Sequence, residues 1–162
     1  MTADDRPLSH VGADGAAKMV DVSEKPETAR VARASGSIRM AAATLAAIRA
    51  NTLKKGDVIA VARVAGVMAA KRTAELIPLC HPIPLTDVQI EIAADETLPG
   101  LRTEATVRSF GRTGVEMEAI SAVCVTLLTV FDMVKAVDRA LLISDVRVIE
   151  KSGGRSGSWR GG

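Results

Sequence analysis

The sequence predicts an α+β fold in which one antiparallel sheet is covered by helices. Two observations support this class: alternating apolar and polar residues recur in separate short segments, and residues 115–139 form a long apolar segment with helical spacing. A length of 162 residues suits one domain with a sizeable core. Because the chain has no Tyr, one Trp and two Phe, we expect a core of Ala, Val, Ile, Leu and Met.

The first half of the chain predicts one strand and two helices. The alternating segment ARVARASGSIRM, residues 29–40, predicts the first strand. Alanine-rich residues 41–51 predict a short helix. Asp57 follows a turn and is placed to cap a second helix over residues 58–76. Small residues around Gly66 would allow another backbone to approach this helix closely.

The second half predicts a hairpin, a long helix and a last strand. Three prolines make residues 77–85 an irregular loop. Residues 87–94 and 101–110 alternate and are separated by a Pro-Gly turn, which is typical of a hairpin. A helix over about residues 115–139 and a strand over 141–150 follow. The order strand, helix pair, strand, strand, helix, strand is that of a ferredoxin-like α+β sandwich, with an antiparallel sheet backed by helices.

The predicted domain organisation is a single domain over residues 18–151. Residues 1–17 lack periodicity and predict a mobile leader, and the Gly-rich basic residues 152–162 predict a flexible tail. Two widely spaced cysteines favour free thiols in a reduced compartment. The longest charge-free run, Ala119 to Phe131, is shorter than the roughly 20 residues that span a bilayer. With a net charge of only +2, we expect a cytoplasmic protein that binds neither membrane nor nucleic acid.

Asp132 and Lys135 are ionisable residues in an otherwise apolar helical segment. At a spacing of three they share a helix face, where an exposed pair contributes about 0.2 to 0.5 kcal/mol. We expect the apolar segment to be buried and the pair to lie at the edge of that burial, with shifted pKa values. A lysine whose pKa is lowered by desolvation can carry a proton near neutral pH. The pattern alone favours a structural ion pair and leaves a catalytic pair open.

Glu116 and Glu118 open the same helix. Two residues apart on a regular helix, they point about 200° apart and cannot both face one pocket unless the chain bends. Carboxylates in a first turn also have a structural role, because they complement the helix dipole. Glu118 and Asp132 lie fourteen residues apart, about 21 Å along a straight helix. A small ligand that contacts both would require two chains that share a site across a symmetric interface.

His81 and several basic residues are candidates for anion binding. His81 lies in a proline-flanked loop, where a structural histidine is favoured over a ligand. The adjacent Cys80 lacks the usual zinc-ligand spacing, so no metal site is predicted. Basic residues also lie in KKGD, in AAKRT and in the tail segment KSGGRSG. They would be solvated surface groups by default, but gathered around one cleft they would hold a triphosphate.

Six segments together resemble the cyclic pyranopterin monophosphate synthase (MoaC) family of molybdenum cofactor biosynthesis. In the family's order and spacing they are MVDVSEKPETAR, KKGD, ARVAGVMAAKRTAELIPLCHPIPL, RTGVEMEAISA, FDMVKAVD and KSGGRSG. The combination of IPLCHP, GVEMEA and DMVKA is highly specific. The departures are modest: Lys18 stands where a histidine often precedes MVDV, Val134 where cysteine is common, and Arg155 where lysine is common.

The resemblance implies a lyase that converts 3',8-cyclo-7,8-dihydroguanosine 5'-triphosphate to cyclic pyranopterin monophosphate and releases pyrophosphate. It also implies a ferredoxin-like fold and a homo-hexamer, a trimer of dimers, with sites at dimer interfaces. Such sites agree with the helix-length argument. Carried over motif by motif, the implied active-site residues are Lys55, His81, Glu116, Glu118, Asp132 and Lys135.

Within the implied site, Lys55 and Lys135 are our candidates for the acid and the base. Asp132 is expected to orient Lys135. Glu116 and Glu118 are expected to hold the guanine-derived ring through its N–H donors, in place of the aromatic stacking that this chain lacks. Which lysine donates the proton is left open.

The triphosphate is expected to bind His81, Lys71, Arg30 and Lys151. No cofactor is required, although Mg²⁺ is compatible with the phosphates. One alternative is a non-catalytic nucleotide-binding or regulatory oligomer that uses the same cations. A nucleic-acid module built on the basic tail is disfavoured by the small net charge.

Overall fold

The elements of the fold follow the predicted order of strands and helices. A computed structural model describes residues 15–155 and 157–161. In chain order the elements are β1 (Thr28–Arg39), α1 (Ala42–Arg49), α2 (Val58–Lys71), α3 (Thr73–Leu76), β2 (Leu85–Asp95), β3 (Gly100–Gly111), α4 (Glu116–Val134), β4 (Leu142–Ser152) and β5 (Trp159–Arg160). Residues 1–14 of the predicted leader lie outside the described residues.

The strands form one antiparallel sheet in the order β2-β3-β1-β4-β5. The sheet and its helices confirm the predicted ferredoxin-like α+β class. The register pairs Thr28 at the start of β1 with Gly111 at the end of β3. It also pairs Val31 of β1 with Ser152 at the end of β4. The start of β1 and the ends of β3 and β4 therefore lie together at one end of the sheet, next to the turn that leads into α4.

The two long helices pack against each other and against the sheet. The buried hydrophobic residues are Ala, Val, Ile, Leu and Met, as the composition predicted. Gly66 of α2 is buried against α4, and a Cβ added to it would lie 2.1 Å from the Thr126 hydroxyl and 2.4 Å from Ile90 Cδ1. The predicted close approach at Gly66 is therefore confirmed.

By length and composition alone, α4 could cross a membrane. It has 19 residues and a mean hydropathy of 1.8, and 56% of its apolar window is buried inside the fold. The core helix of a soluble domain can have the same length and apolar composition. Because α4 packs on β1, β3 and β4, its apolar character is weak evidence for a membrane span.

Two predicted helix boundaries are wrong. The helix over residues 58–76 is divided at Arg72, where the Thr73 hydroxyl donates to the carbonyls of Ala69 and Ala70 at 3.1 Å each. The long helix ends at Val134 rather than near residue 139. The chain leaves this helix because the buried Asp138 carboxylate accepts hydrogen bonds from N–H groups outside it.

Asp138 ties the end of α4 to the start of α1. Its carboxylate accepts from the N–H of Ala41 at 2.7 Å, from the Thr44 hydroxyl at 3.1 Å and from the N–H of Ala140 at 2.9 Å. These bonds, those of the two N–H groups first, hold the pKa of Asp138 below its usual value. Asp138 therefore has a structural role, although it belongs to the FDMVKAVD motif.

The tail carries a strand that the sequence did not predict. Trp159 and Arg160 form β5 and pair with Lys151 and Glu150 of β4. The N–H of Gly161 also donates to the Ile149 carbonyl at 2.9 Å. The segment after β4 therefore folds back along the edge of the sheet.

Candidate active site

Lys55 and Lys135 approach Asp132 from two different elements. Lys55 lies in the turn before α2, and its Nζ donates to the Asp132 carbonyl at 2.8 Å and to its Oδ2 at 3.3 Å. Lys135 caps the C-terminus of α4, and its Nζ lies 2.7 Å from Asp132 Oδ1. Both oxygens of one carboxylate are thus paired with an ammonium. The hydrogen bond from Lys135, followed by that from Lys55, lowers the pKa of Asp132.

We call Lys55, Asp132 and Lys135 the lysine triad. All three side chains are exposed in the single chain. The exposed side-chain fractions are 46% for Lys55, 60% for Asp132 and 56% for Lys135. The apolar part of α4 is buried and the charged pair lies at the edge of that buried segment, as predicted, and in the single chain both side chains of the pair are more than half exposed. The reason is that α4 ends beside the pair, so that no other element of the described chain covers it.

A cavity of about 510 Å³ lies where the ends of β1, β3 and β4 meet. We call it the cationic cavity, because it is lined by five basic side chains and one carboxylate. Its lining residues are Lys25, Pro26, Thr28, Arg30, Val31, Arg112, Thr113, Gly114, Glu116, Lys151, Ser152, Gly153, Gly154 and Arg155. Lys151 Nζ and Glu116 Oε1 are 3.0 Å apart. Since the whole chain carries only +2, positive charge is concentrated here.

Arg30 is held in the cationic cavity by its backbone surroundings. Its Nε donates to the Gly111 carbonyl at 3.1 Å. Gly154 has φ +71°, and a Cβ there would lie 1.7 Å from Arg30 Nη1. A Cβ on Gly153 would lie 2.1 Å from the Ala29 carbonyl oxygen. The two glycines are therefore required for the loop after β4 to pass over Arg30.

Glu118 faces a different cavity, of about 320 Å³, which we call the Glu118 cavity. It is lined by Ala70, Lys71, Arg72, Thr73, Ala74, Glu75, Pro82, Ile83, Pro84 and Glu118. Glu118 is only 3% exposed, and its Oε2 has no hydrogen-bond partner among the described residues. Burial, and to a lesser extent the charge of Glu116, raise the pKa of Glu118 to about 7. Near neutral pH this carboxyl group therefore holds a proton much more readily than an exposed glutamate does.

His81 is already engaged by the backbone of the N-terminal segment. Its Nε2 donates to the Val20 carbonyl at 2.8 Å, which places a proton on that nitrogen. Burial, and to a lesser extent the charge of Glu118, raise the pKa of the neighbouring Cys80 thiol. The proline-rich loop therefore contacts the N-terminal segment through His81 and lines the Glu118 cavity through Pro82, Ile83 and Pro84.

Eight of the nine predicted site residues fall into three groups in the chain, and the ninth, His81, lies apart from them in the proline-rich loop, bound to the Val20 carbonyl. The cationic cavity contains Arg30, Glu116 and Lys151, the Glu118 cavity contains Lys71 and Glu118, and the lysine triad is separate. The two glutamates line different cavities, in line with their predicted azimuths on a regular helix. Asp132 is about 21 Å from Glu118 along the axis of α4. One chain does not bring all nine candidate residues around one small ligand.

Comparison with known proteins decides the family. The family model described as the MoaC family matches residues 19–154. The chain belongs to the MoaC family. Among curated members, the cyclic pyranopterin monophosphate synthase of Dinoroseobacter shibae is 59% identical over 150 residues, which cover 93% of this chain and 95% of the relative. Those of Brucella ovis and Thermomicrobium roseum are 60% and 58% identical, and each match covers 94% of this chain and 92% of the relative.

This MoaC-family chain shows no cluster of metal ligands within residues 15–155 and 157–161: no three His, Cys, Asp or Glu side chains there come together as ligands would. The cationic cavity offers a single carboxylate, Glu116, which is paired with Lys151. The donor set of the cavity therefore suits an anion better than a bare divalent cation.

Sequence reasoning did not single out several residues that line the cationic cavity of this MoaC-family chain. They are Lys25, Arg112 and Thr113. All three lie inside the quoted family segments, but only contacts between distant segments bring them together. Two turn segments near strand ends, GRTG and KSGGRSG, could have indicated these residues, because both combine glycine with basic residues.

Proposed function

We propose that this chain converts 3',8-cyclo-7,8-dihydroguanosine 5'-triphosphate to cyclic pyranopterin monophosphate, with release of pyrophosphate. The observation that carries the proposal is the lysine triad, in which Lys55 and Lys135 share the carboxylate of Asp132. These three residues are among the active-site residues that the resemblance implies, and they are the ones to which we assign catalytic roles. Relatives 58 to 60% identical that are named cyclic pyranopterin monophosphate synthase support the same reaction.

The triphosphate end of the substrate is assigned to the cationic cavity. Arg30 and Lys151 are the predicted phosphate contacts there, and Arg30 is held in place by its bond to the Gly111 carbonyl. Charge-assisted hydrogen bonds to phosphate oxygens are about twice as strong as neutral ones, and fixed cations stabilise the negative charge that develops on leaving pyrophosphate. Mg²⁺ would arrive with the phosphates, because Glu116 is the only carboxylate among the described residues that line the cavity.

The lysine triad is assigned to proton transfer. An ammonium group can donate a proton, and the amine that it becomes can accept one, so two lysines can supply an acid and a base. Asp132 binds both ammonium groups and so holds their Nζ atoms on either side of one carboxylate. Asp132 is a positioning residue in this scheme, and it orients Lys135 directly.

We place the complete site between two chains of a homo-hexamer. The lysine triad and Glu116 lie at opposite ends of α4, so a substrate that contacts both needs a second chain. The outer sides of the long helices also carry exposed apolar side chains, which a partner chain would cover. They are Val61, Val64 and Met68 on α2 and Leu128 on α4. A partner chain over this face would also remove water from the lysine triad.

The glutamates and Lys71 are assigned to the other parts of the substrate. Glu116 and Glu118 would accept hydrogen bonds from the N–H groups of the guanine-derived ring, and Lys71 and His81 would approach the phosphates in the assembled site.

We also place the chain in the cytoplasm, since Cys80 and Cys124 are both free thiols.

The proposal is tested by incubating the purified chain with the cyclic dihydroguanosine triphosphate. We expect release of pyrophosphate together with the cyclic monophosphate product. Binding of the substrate without release of pyrophosphate would instead support a non-catalytic nucleotide-binding oligomer.

Substitution of Lys135 tests the role of the lysine triad. We expect Lys135→Ala to reduce kcat by at least about 10²-fold, which is the usual contribution of a general acid or base. The thermal unfolding midpoint should change little, because the ion pair is exposed. Lys54→Ala removes a neighbouring exposed lysine and should leave kcat unchanged. Wild-type turnover by Lys135→Ala would contradict the assignment.

A further inference from the structure

Residues 20–27 form a strap that crosses from the proline-rich loop to the cationic cavity. One end is attached at Val20, whose carbonyl accepts from His81 Nε2 at 2.8 Å. The middle is a hydrogen-bonded turn, in which Asp21 Oδ1 accepts from the N–H and hydroxyl of Ser23 at 2.8 and 2.6 Å. The N–H of Lys25 donates to the Val22 carbonyl at 3.0 Å. The strap therefore has a defined shape that leads its chain into the cavity wall.

Arg112 holds the strap on both sides of Lys25. Its Nη1 donates to the Ser23 carbonyl at 2.9 Å, and its Nε lies 3.6 Å from Glu27 Oε1. Arg112 directly follows β3, whose last residue, Gly111, anchors Arg30. The same turn thus positions two basic residues of the cavity. Arg30 is held through the Gly111 carbonyl, and Lys25 is held between two contacts of one guanidinium group.

The contacts of Arg112 would add little to the stability of the fold. Arg112 and Glu27 are both about half exposed, and exposed ion pairs contribute little to folding. A planar guanidinium group is nevertheless suited to holding two acceptors in fixed directions. Lysine, by contrast, has a long flexible side chain, and ordering its backbone before an anion arrives reduces the entropic cost of binding.

We propose that Arg112 is a positioning residue that fastens the strap, so that Lys25 is directed at the polyphosphate group bound in the cationic cavity. This inference rests on the proposed function for the identity of the substrate. It requires only that a polyphosphate binds the cavity, so it can be tested without turnover. Arg112 also lines the cationic cavity, but in this proposal its effect on the anion passes through Lys25.

The test is a double-mutant cycle with inorganic tripolyphosphate as the probe, measured by titration calorimetry on the full chain. We expect Lys25→Ala and Arg112→Ala each to raise Kd about three- to tenfold, which is the range for one ordered cation at a partly exposed site. The double variant should bind no more weakly than Lys25→Ala alone, because the effect of Arg112 operates through Lys25. Multiplicative losses in the double variant would overturn the proposal, since Arg112 would then contact the anion directly.

Arg112→Lys separates position from charge. It keeps a positive charge at the cavity but cannot hold Ser23 and Glu27 with one rigid fork. We expect its Kd to resemble that of Arg112→Ala, and a wild-type Kd would overturn the proposal. Glu27→Gln provides a second variant that leaves the cavity side chains intact, and it should raise Kd in the same direction. An unchanged Kd in both Arg112→Ala and Glu27→Gln would also overturn it.

Arg102→Ala is the matched control. Arg102 is an exposed arginine of the same strand, β3, and it is paired with the carboxylate of Asp95 at the opposite end. Its removal should leave tripolyphosphate binding unchanged.

In the enzyme assay, Arg112→Ala should raise KM and leave kcat close to wild type, as expected for loss of uniform binding. Failure of wild-type turnover would contradict the proposed function only, whereas absence of tripolyphosphate binding by the wild type would overturn this inference.

Discussion

Glu118 is the residue whose environment departs most from that of a surface carboxylate. It is 3% exposed in the first turn of α4, and one of its oxygens has no hydrogen-bond partner among the described residues. Its pKa of about 7 exceeds the ordinary 4.5 chiefly because burial disfavours the charged form. A group with this pKa can present either an acceptor or a donor to a ring near neutral pH.

The raised pKa of Glu118 predicts a pH-dependent stability. The native state holds the proton up to about pH 7, whereas the unfolded chain loses it near pH 4.5. The native state therefore binds more protons in this interval, and the free energy of unfolding falls as the pH rises through it. From pH 5 to pH 8 we expect a loss of up to about 3 kcal/mol, measured by urea unfolding.

Glu118→Gln should remove most of this dependence, because a neutral amide does not titrate. Glu75→Gln is the control, since Glu75 lines the same cavity but is exposed and should keep the wild-type slope. An equal slope in the wild type and Glu118→Gln would show that another group is responsible.

The sequence predicted the position of Glu118 but not its protonation state. Its place in the first turn of a helix and its azimuth relative to Glu116 follow from helix geometry. Its burial depends on α3 and the proline-rich loop, which approach from a distant part of the chain. The proximity of Lys25 and Arg112 could not be predicted from the sequence either, because it is created by the register of β1 and β3.

At the scale of elements, the packing of α2 against α4 depends on Gly66. The nearest atoms to an added Cβ there would be the Thr126 hydroxyl at 2.1 Å and Ile90 Cδ1 at 2.4 Å, both closer than real Cβ contacts. Neither neighbour can move freely, because Thr126 is fully buried and Ile90 is in the core. The distance between the helices and the sheet is therefore set by the absence of a side chain.

Gly66→Ala should lower the free energy of unfolding by about 1 to 3 kcal/mol, the usual cost of overpacking a core. The favourable helix propensity of alanine recovers part of this loss, so the measured value should lie toward the lower end. Gly111→Ala is the matched control, because its Cβ would meet only Ser109 Oγ at 3.8 Å. Chemical denaturation of both variants measures the difference, and equal stabilities would contradict the packing argument.

Element types were predictable from local pattern, but some ends were not. Asp57 caps α2 as predicted, and its Oδ1 accepts from the N–H of Ala60 at 2.9 Å, because a cap involves only neighbouring residues. The end of α4 was predicted about five residues too late, since Asp138 stops the helix by bonding to Ala41 at the start of α1. The two-residue strand β5 carries too little pattern to be recognised.

At the scale of the whole molecule, the separation of the candidate residues is the main structural fact. The lysine triad and the cationic cavity are built at opposite ends of α4, a helix that the sequence predicted although it placed the end about five residues too late. The surface of the proposed second chain could not be predicted from one sequence, because contacts between chains depend on shape. The exposed apolar residues of α2 and α4 form the surface on which we propose that contact.

Complementation between two inactive variants tests the shared site most directly. Lys135→Ala disrupts the lysine triad, and Lys151→Ala removes a cation from the cationic cavity. Each homo-oligomer should therefore be inactive or nearly so. In an equal mixture assembled by co-expression with two affinity tags, half of the dimers carry both variants, and each of these has one intact site. We predict recovery of about a quarter of wild-type activity in the mixture. No recovery in oligomers that demonstrably contain both chains would show that each site is built within a single chain, and it would contradict the account.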